Sequence, residues 1–204
     1  MANSRPRSPW PRWAIRRWRA FGGDARAAAA VEAALILPSA LLLFALLLYG
    51  AEGFAIQRKV TLTARTVTDL ITQTTPFING SGQPSLNQST IDDDLAVASA
   101  VLAPYAAANM SMVVSEVLVQ SNATTAKVQW SEPYNGATAR PANQVITLPT
   151  GLGTGQAGNY FVLGEVYYNY TPLNFYMSLS AITLSDSIYL TPRASASIAM
   201  NVGS

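Results

Sequence analysis

Residues Ala27 to Ile56 read AAAAVEAALILPSALLLFALLLYGAEGFAI, and the 18 positions from Ala33 to Gly50 carry no charged side chain. As an α-helix that stretch rises about 27 Å, roughly the thickness of a hydrocarbon core. It is the one uninterrupted apolar block in the chain long enough to cross a bilayer, and it separates two regions of opposite charge. Before it, Arg5, Arg7, Arg12, Arg16, Arg17, Arg19 and Arg26 stand against Asp24. From Val67 onward, Lys127, Arg140 and Arg193 face Asp69, Asp92, Asp93, Asp94, Glu116, Glu132, Glu165 and Asp186. The formal net charge of +2 therefore averages a basic head and an acidic body. The basicity belongs to the head, which makes nucleic acid a poor partner for the chain.

A chain of 204 residues has room for an anchor and one domain, and 50% apolar content is high for an ordinary soluble protein. Zero Cys removes disulfides and thiolate chemistry; zero His removes the commonest metal ligand and the usual general base. No GxSxG motif and no carboxylate pair in a recognisable frame supplies a nucleophile with a base, so neither catalysis nor a cofactor is expected. Asp92-Asp93-Asp94 lacks the glycine turn and later glutamate of a calcium loop and reads as helix capping.

The head suits a cytoplasmic position, because carrying its arginines across hydrocarbon is costly. Arg16, Arg17, Trp18 and Arg19 fit the headgroup layer, with membrane lipid as their partner. A removable signal sequence is the rival reading, since Ala51-Glu52-Gly53 offers small residues for cleavage before Phe54. Against it, Ile56, Val60, Ala64, Val67 and Ile71 recur at spacings of three and four, so the helix is expected to run to about Gln73 as an amphipathic stalk. Pro38 is expected to kink or loosen it. Glu32 sits at the edge of the apolar span, where a carboxylate needs a reason. It can rest in the headgroup layer near Arg26 or meet a partner.

Thr74 to Gln88 reads as a loop, and Ser89 or Thr90 as the cap of a helix whose Ile91, Leu95, Ala98, Leu102 and Tyr105 form one apolar stripe. The period then changes to two. Ser111–Ser121, Ala126–Trp130, Gln144–Leu148, Tyr160–Tyr170 and Ala181–Leu190 are expected strands, with a short helical turn between Pro172 and Ser180. In the fourth, Phe161, Leu163, Glu165, Tyr167 and Asn169 share one face, opposite Val162, Val166, Tyr168 and Tyr170. Gly151 to Gly158 is followed by a strand instead of a helix, so it reads as a hairpin loop and not a nucleotide-binding turn. The expected fold is α+β: a basic cytoplasmic tail at 1–26, a transmembrane helix and stalk at 27–73, and a domain at 74–204 with a mainly antiparallel sheet and one packed helix.

Taken together, AAAAVEAALILP at the anchor, VQWSEPYNGATAR (128–140), VITLPTGL (145–152), LGEVYYNYTPL (163–173) and ITLSDSIYLTPR (182–193) resemble TadE/TadG-like pilus-assembly proteins of the alphaproteobacterial type. The match covers most of the chain from Ala27 to Arg193. The resemblance implies a non-enzymatic subunit of a Tad (Flp) pilus, anchored in the bacterial inner membrane with its N-terminus cytoplasmic and its domain periplasmic. It implies partners among other pilin-like subunits and inner-membrane platform proteins. By the pilin pattern, Glu32 is a candidate contact for the N-terminal amine of a neighbouring subunit. A prepilin peptidase would then act at the Ala27/Ala28 junction. The rivals from other classes are an anchored periplasmic enzyme or ligand-binding domain and an exported soluble protein.

Overall fold

The computed structural model describes residues 25–73, 77–78, 84–172 and 180–201. The chain is α+β. Helix α1 (Ala25–Gln73) is followed by β1 (Phe77–Ile78), β2 (Pro84–Asn87), helix α2 (Gln88–Ser99), β3 (Met110–Val119), β4 (Thr125–Tyr134), β5 (Val145–Thr147), β6 (Tyr160–Tyr170), β7 (Ile182–Leu190) and β8 (Ala199–Asn201). Two compact units result, one ending at Gly50 and one beginning at Ala51.

The second unit is built on a five-stranded antiparallel sheet, ordered β5-β4-β3-β6-β7. Its inner face presents Met110, Met112, Val114, Val162, Val166, Tyr168 and Tyr170, and against these lie Ile56, Val60, Ala64, Val67 and Ile71 of α1. The stalk expected from the sequence is thus the core helix of the domain. Its apolar stripe is the one the spacing describes, but the sheet covers it. Close approach is possible because Gly164 has no side chain: a Cβ there would fall 2.0 Å from the Thr68 hydroxyl oxygen. Thr63 and Thr68, buried on the same helix, turn their hydroxyls back onto the carbonyls of Lys59 (2.9 Å) and Ala64 (2.6 Å), so neither is left unsatisfied.

A small second sheet, β1-β2-β8, helix α2 and the segments beside them close the core with Leu86, Ile91, Leu95, Leu102 and Ile198. β2 and β8 run parallel, Leu86 opposite Met200. Within the segment read as a loop before α2, Ser85, Leu86 and Asn87 are therefore organised by pairing with a distant strand, and α2 begins at Gln88, ahead of the expected Ser89 or Thr90 cap. The short helical turn expected between Pro172 and Ser180 falls almost wholly outside the described residues.

On the outer face of the main sheet, Val117, Val119, Ala126, Val128, Leu148 and Phe161 form a second apolar cluster. A register shift makes it possible. Glu116 lies opposite Trp130 and Val117 opposite Val128, leaving Gln129 as an extra residue in β4. The bulge turns Val128 and Ala126 to the outer face, where Val117 and Val119 already point.

The glycine-rich segment is not a hairpin. β5 pairs with β4 and not with β6, so residues 149–159 cross from the sheet edge to β6. On the way they press on the β3–β4 turn: a Cβ on Gly153 would fall 2.1 Å from the Ala123 carbonyl oxygen.

Candidate functional site

Two surfaces are candidates: the apolar first half of α1 and the outer face of the sheet. From Ala33 to Gly50 no side chain of α1 is buried, with Leu35 at 74% exposure and Leu47 at 72%. Lipid or a partner helix is what such a surface requires. Pro38 lies inside the helix, and the hydroxyl of Ser39 donates to the Ile36 carbonyl at 2.7 Å. The structure places Ala27, Ala28 and Glu32 on the opening turns of α1, with Ala28 and Glu32 exposed. Four residues apart, these two share one helix face. Arg16, Arg17, Trp18 and Arg19 lie outside the described residues. Ala51-Glu52-Gly53, considered above for cleavage, is folded into the domain: the Tyr170 hydroxyl donates to Glu52 at 3.3 Å, and its ring lies 3.4 Å from where a Gly53 Cβ would be.

The outer face carries an ion pair that sequence reading did not single out. Arg140 reaches back from the segment after β4 and grips Glu165 of β6 with two bonds, Nε to Oε2 at 2.7 Å and Nη2 to Oε1 at 2.6 Å. Two parallel bonds of this kind fix geometry as well as charge. The Tyr167 hydroxyl donates to the same carboxylate at 3.0 Å, and the Arg140 amide donates to Ser131 Oγ, which also receives the Ser115 hydroxyl, each at 2.9 Å. Burial, helped by the Glu165 charge, raises the Tyr167 and Tyr189 phenols above their ordinary range, so both stay protonated. The bond to Glu165 raises Arg140 further above its own. Arg140, Glu165 and Tyr167 border a shallow concavity of about 430 Å³ lined also by Ser111, Val113 and Thr138. Its charged groups answer one another, so what the arrangement does chemically is hold the 135–144 segment to the sheet.

On the inner face Glu116 is buried, and its Oε1 accepts the Ile198 amide at 2.6 Å; the Trp130 indole donates to the Ile198 carbonyl, also at 2.6 Å. Burial pushes the Glu116 carboxyl up to about 7, against the pull of the Ile198 amide and Trp130. Glu132, bonded to the Gln88 amide, is raised by burial in the same direction. Both carboxylates therefore serve to dock the small sheet and α2. The signal that could have exposed Glu116 and Glu165 was in view: each is a lone charge inside a strand that is otherwise uncharged. Among the described residues no three metal-ligating side chains gather.

The fold and these surfaces define a class, an α+β domain whose N-terminal helix includes an apolar stretch compatible with membrane anchoring. No protein-family model, curated protein or solved structure shows a significant match to the chain.

Proposed function

We propose that this chain is a non-enzymatic, membrane-anchored subunit of Tad/Flp pilus assembly, minor pilin-like or scaffold in type. The observation that carries the anchoring is the open apolar surface of residues 33–50 on a helix whose later turns complete a folded core. The pilus-specific part of the reading rests on the resemblance of the anchor and of the four distal segments. In this reading the apolar stretch 33–50 of α1 lies in the bacterial inner membrane, the arginine-rich tail stays in the cytoplasm and the domain stands in the periplasm. Its partners are lipid, neighbouring pilin-like subunits, platform proteins and a prepilin peptidase. Glu32 is the proposed contact for a neighbour's N-terminal amine, which it would neutralise where water is scarce.

Glu32→Ala is expected to leave the domain's melting temperature and membrane retention unchanged while pili disappear from the cell surface. Normal piliation in that variant would remove the role given to Glu32. Intact-mass measurement on the membrane fraction separates a retained head, a chain starting at Ala28 and a chain starting at Phe54. The last would convert the protein to an exported one and defeat the anchored reading.

A further inference from the structure

The two edges of the main sheet are unequal. At one end β5 has three residues, too short to invite pairing. At the other, β7 runs for nine residues and pairs with β6 alone, in unbroken register from Ile182 to Leu190. Among the described residues no strand lies beyond it. It contains no proline, lysine or bulge, and its one charged residue is Asp186.

Two backbone groups of β7 are met by side chains in place of a strand: Gln57 Nε2 donates to the Ser185 carbonyl at 3.2 Å, and the Ser187 amide donates to Asp186 Oδ1 at 2.8 Å. Alternation then assigns Thr183, Ser185, Ser187 and Tyr189 as the residues whose backbone faces away from β6. Asp186, opposite Val166, belongs to the face that packs on α1. Alongside, between α1 and the edge, runs a groove of about 330 Å³ lined by Arg65, Thr66, Asp69, Ile188 and Leu190. Asp69 is taken by Arg193 at 2.7 Å, whereas Arg65 is exposed and, among the described residues, has no carboxylate at ion-pairing distance.

We propose that two copies of the chain join edge to edge through β7, antiparallel about a two-fold axis at Ser187, so that the partner's Asp186 enters the groove beside Arg65. The occupant is a second copy because the strand and groove complement each other. A register centred on Asp186 would set two carboxylates face to face, which is unfavourable. Moving the axis to Ser187 sets Asp186 opposite Ile188, a groove residue, and each aspartate meets the other copy's arginine. The charge that deters chance pairing thus selects this partner. The result is an isologous ten-stranded sheet with both arginines answered. This inference stands independently of the pilus reading, since it uses only β7 and the groove between it and α1.

The natural chain has no cysteine, which makes the test direct. In the full-length protein in detergent, Ser187→Cys places two thiols at the axis, where paired Cα atoms about 5.5 Å apart suit a disulfide. Thr183→Cys leaves its two copies roughly 27 Å apart. Ser187→Cys is expected to oxidise to covalent dimer roughly tenfold faster or more. Arg65→Asp and Asp186→Arg are each expected to reduce the dimer seen by sedimentation, and the double exchange to restore it. Ser187→Pro, which removes an outward amide at a tolerated edge position, is expected to give a folded monomer of unchanged melting temperature. Equal oxidation of the two cysteine variants, or a folded double exchange as monomeric as either single change, overturns the proposal.

Discussion

The two halves of α1 differ in what keeps them helical. From Ala33 to Gly50 the sequence is dominated by Ala and Leu, strong helix formers, and none of its side chains is buried. Beyond Phe54 the helix contains Val60, Thr61, Thr63, Thr66, Val67, Thr68, Ile71 and Thr72, β-branched residues that resist helix formation when isolated. There the helix persists because Ile56, Val60, Ala64, Val67 and Ile71 are buried against the sheet. One half relies on propensity, the other on tertiary packing.

The sharpest way to break that contrast is to place the same charge in each half. Val67→Asp puts an unpartnered carboxylate into the core and should cost about 4 kcal/mol or more, read as loss of the domain's cooperative melting transition. Leu42→Asp should leave that transition within about 0.5 kcal/mol of the natural chain yet raise the cost of membrane insertion by about 3 kcal/mol, read as release in alkaline extraction.

A smaller effect belongs to Glu116, buried in the domain that holds the packed half of α1. Glu116 ionises near 4.5 in the unfolded chain and near 7 in the fold, so between those values the folded state holds the extra proton. Stability must then fall as pH rises through that window, by about 3 kcal/mol at most, and level off above it. The domain should melt at a higher temperature at pH 5 than at pH 8. Glu116→Gln should flatten that slope and gain stability at pH 8.

The smallest expected effect concerns the sheet's outer face. Arg140→Met strands Glu165, which is only 7% exposed, and should cost about 2 kcal/mol in chemical unfolding. Adding Glu165→Leu should recover most of it, because two apolar groups leave no orphaned charge.

Local periodicity made much of this architecture legible. Tyr160–Tyr170 was bounded to the residue because an aromatic and β-branched run alternates between two stop signals, and its inner-face residues Val162, Val166, Tyr168 and Tyr170 were separable from Phe161 on the outer face. The helical stripe from Ile56 to Ile71 was equally plain, though periodicity names a face without naming what covers it. Hidden were features made by distant partners: β2 with β8, Glu116 with Ile198, Arg140 with Glu165. Three-residue pairings and single charges leave no period. The extra residue Gln129 also escaped, since a bulge shows only against its opposing strand. As for the candidate surfaces, the apolar span was readable from composition alone, while the ion pair over the sheet was not.

The parallel pairing of β8 with β2 bears on how the domain is made. A chain emerging from its N-terminus lays down α1, α2 and most of the sheet before Ile198 exists, and until then the place between Glu116 and Trp130 stays vacant. A product cut short before that residue would keep its large sheet but leave Glu116 without the Ile198 amide and Leu86 without its neighbouring strand. Such a product opens more readily to proteases, so completion of synthesis becomes a condition for survival.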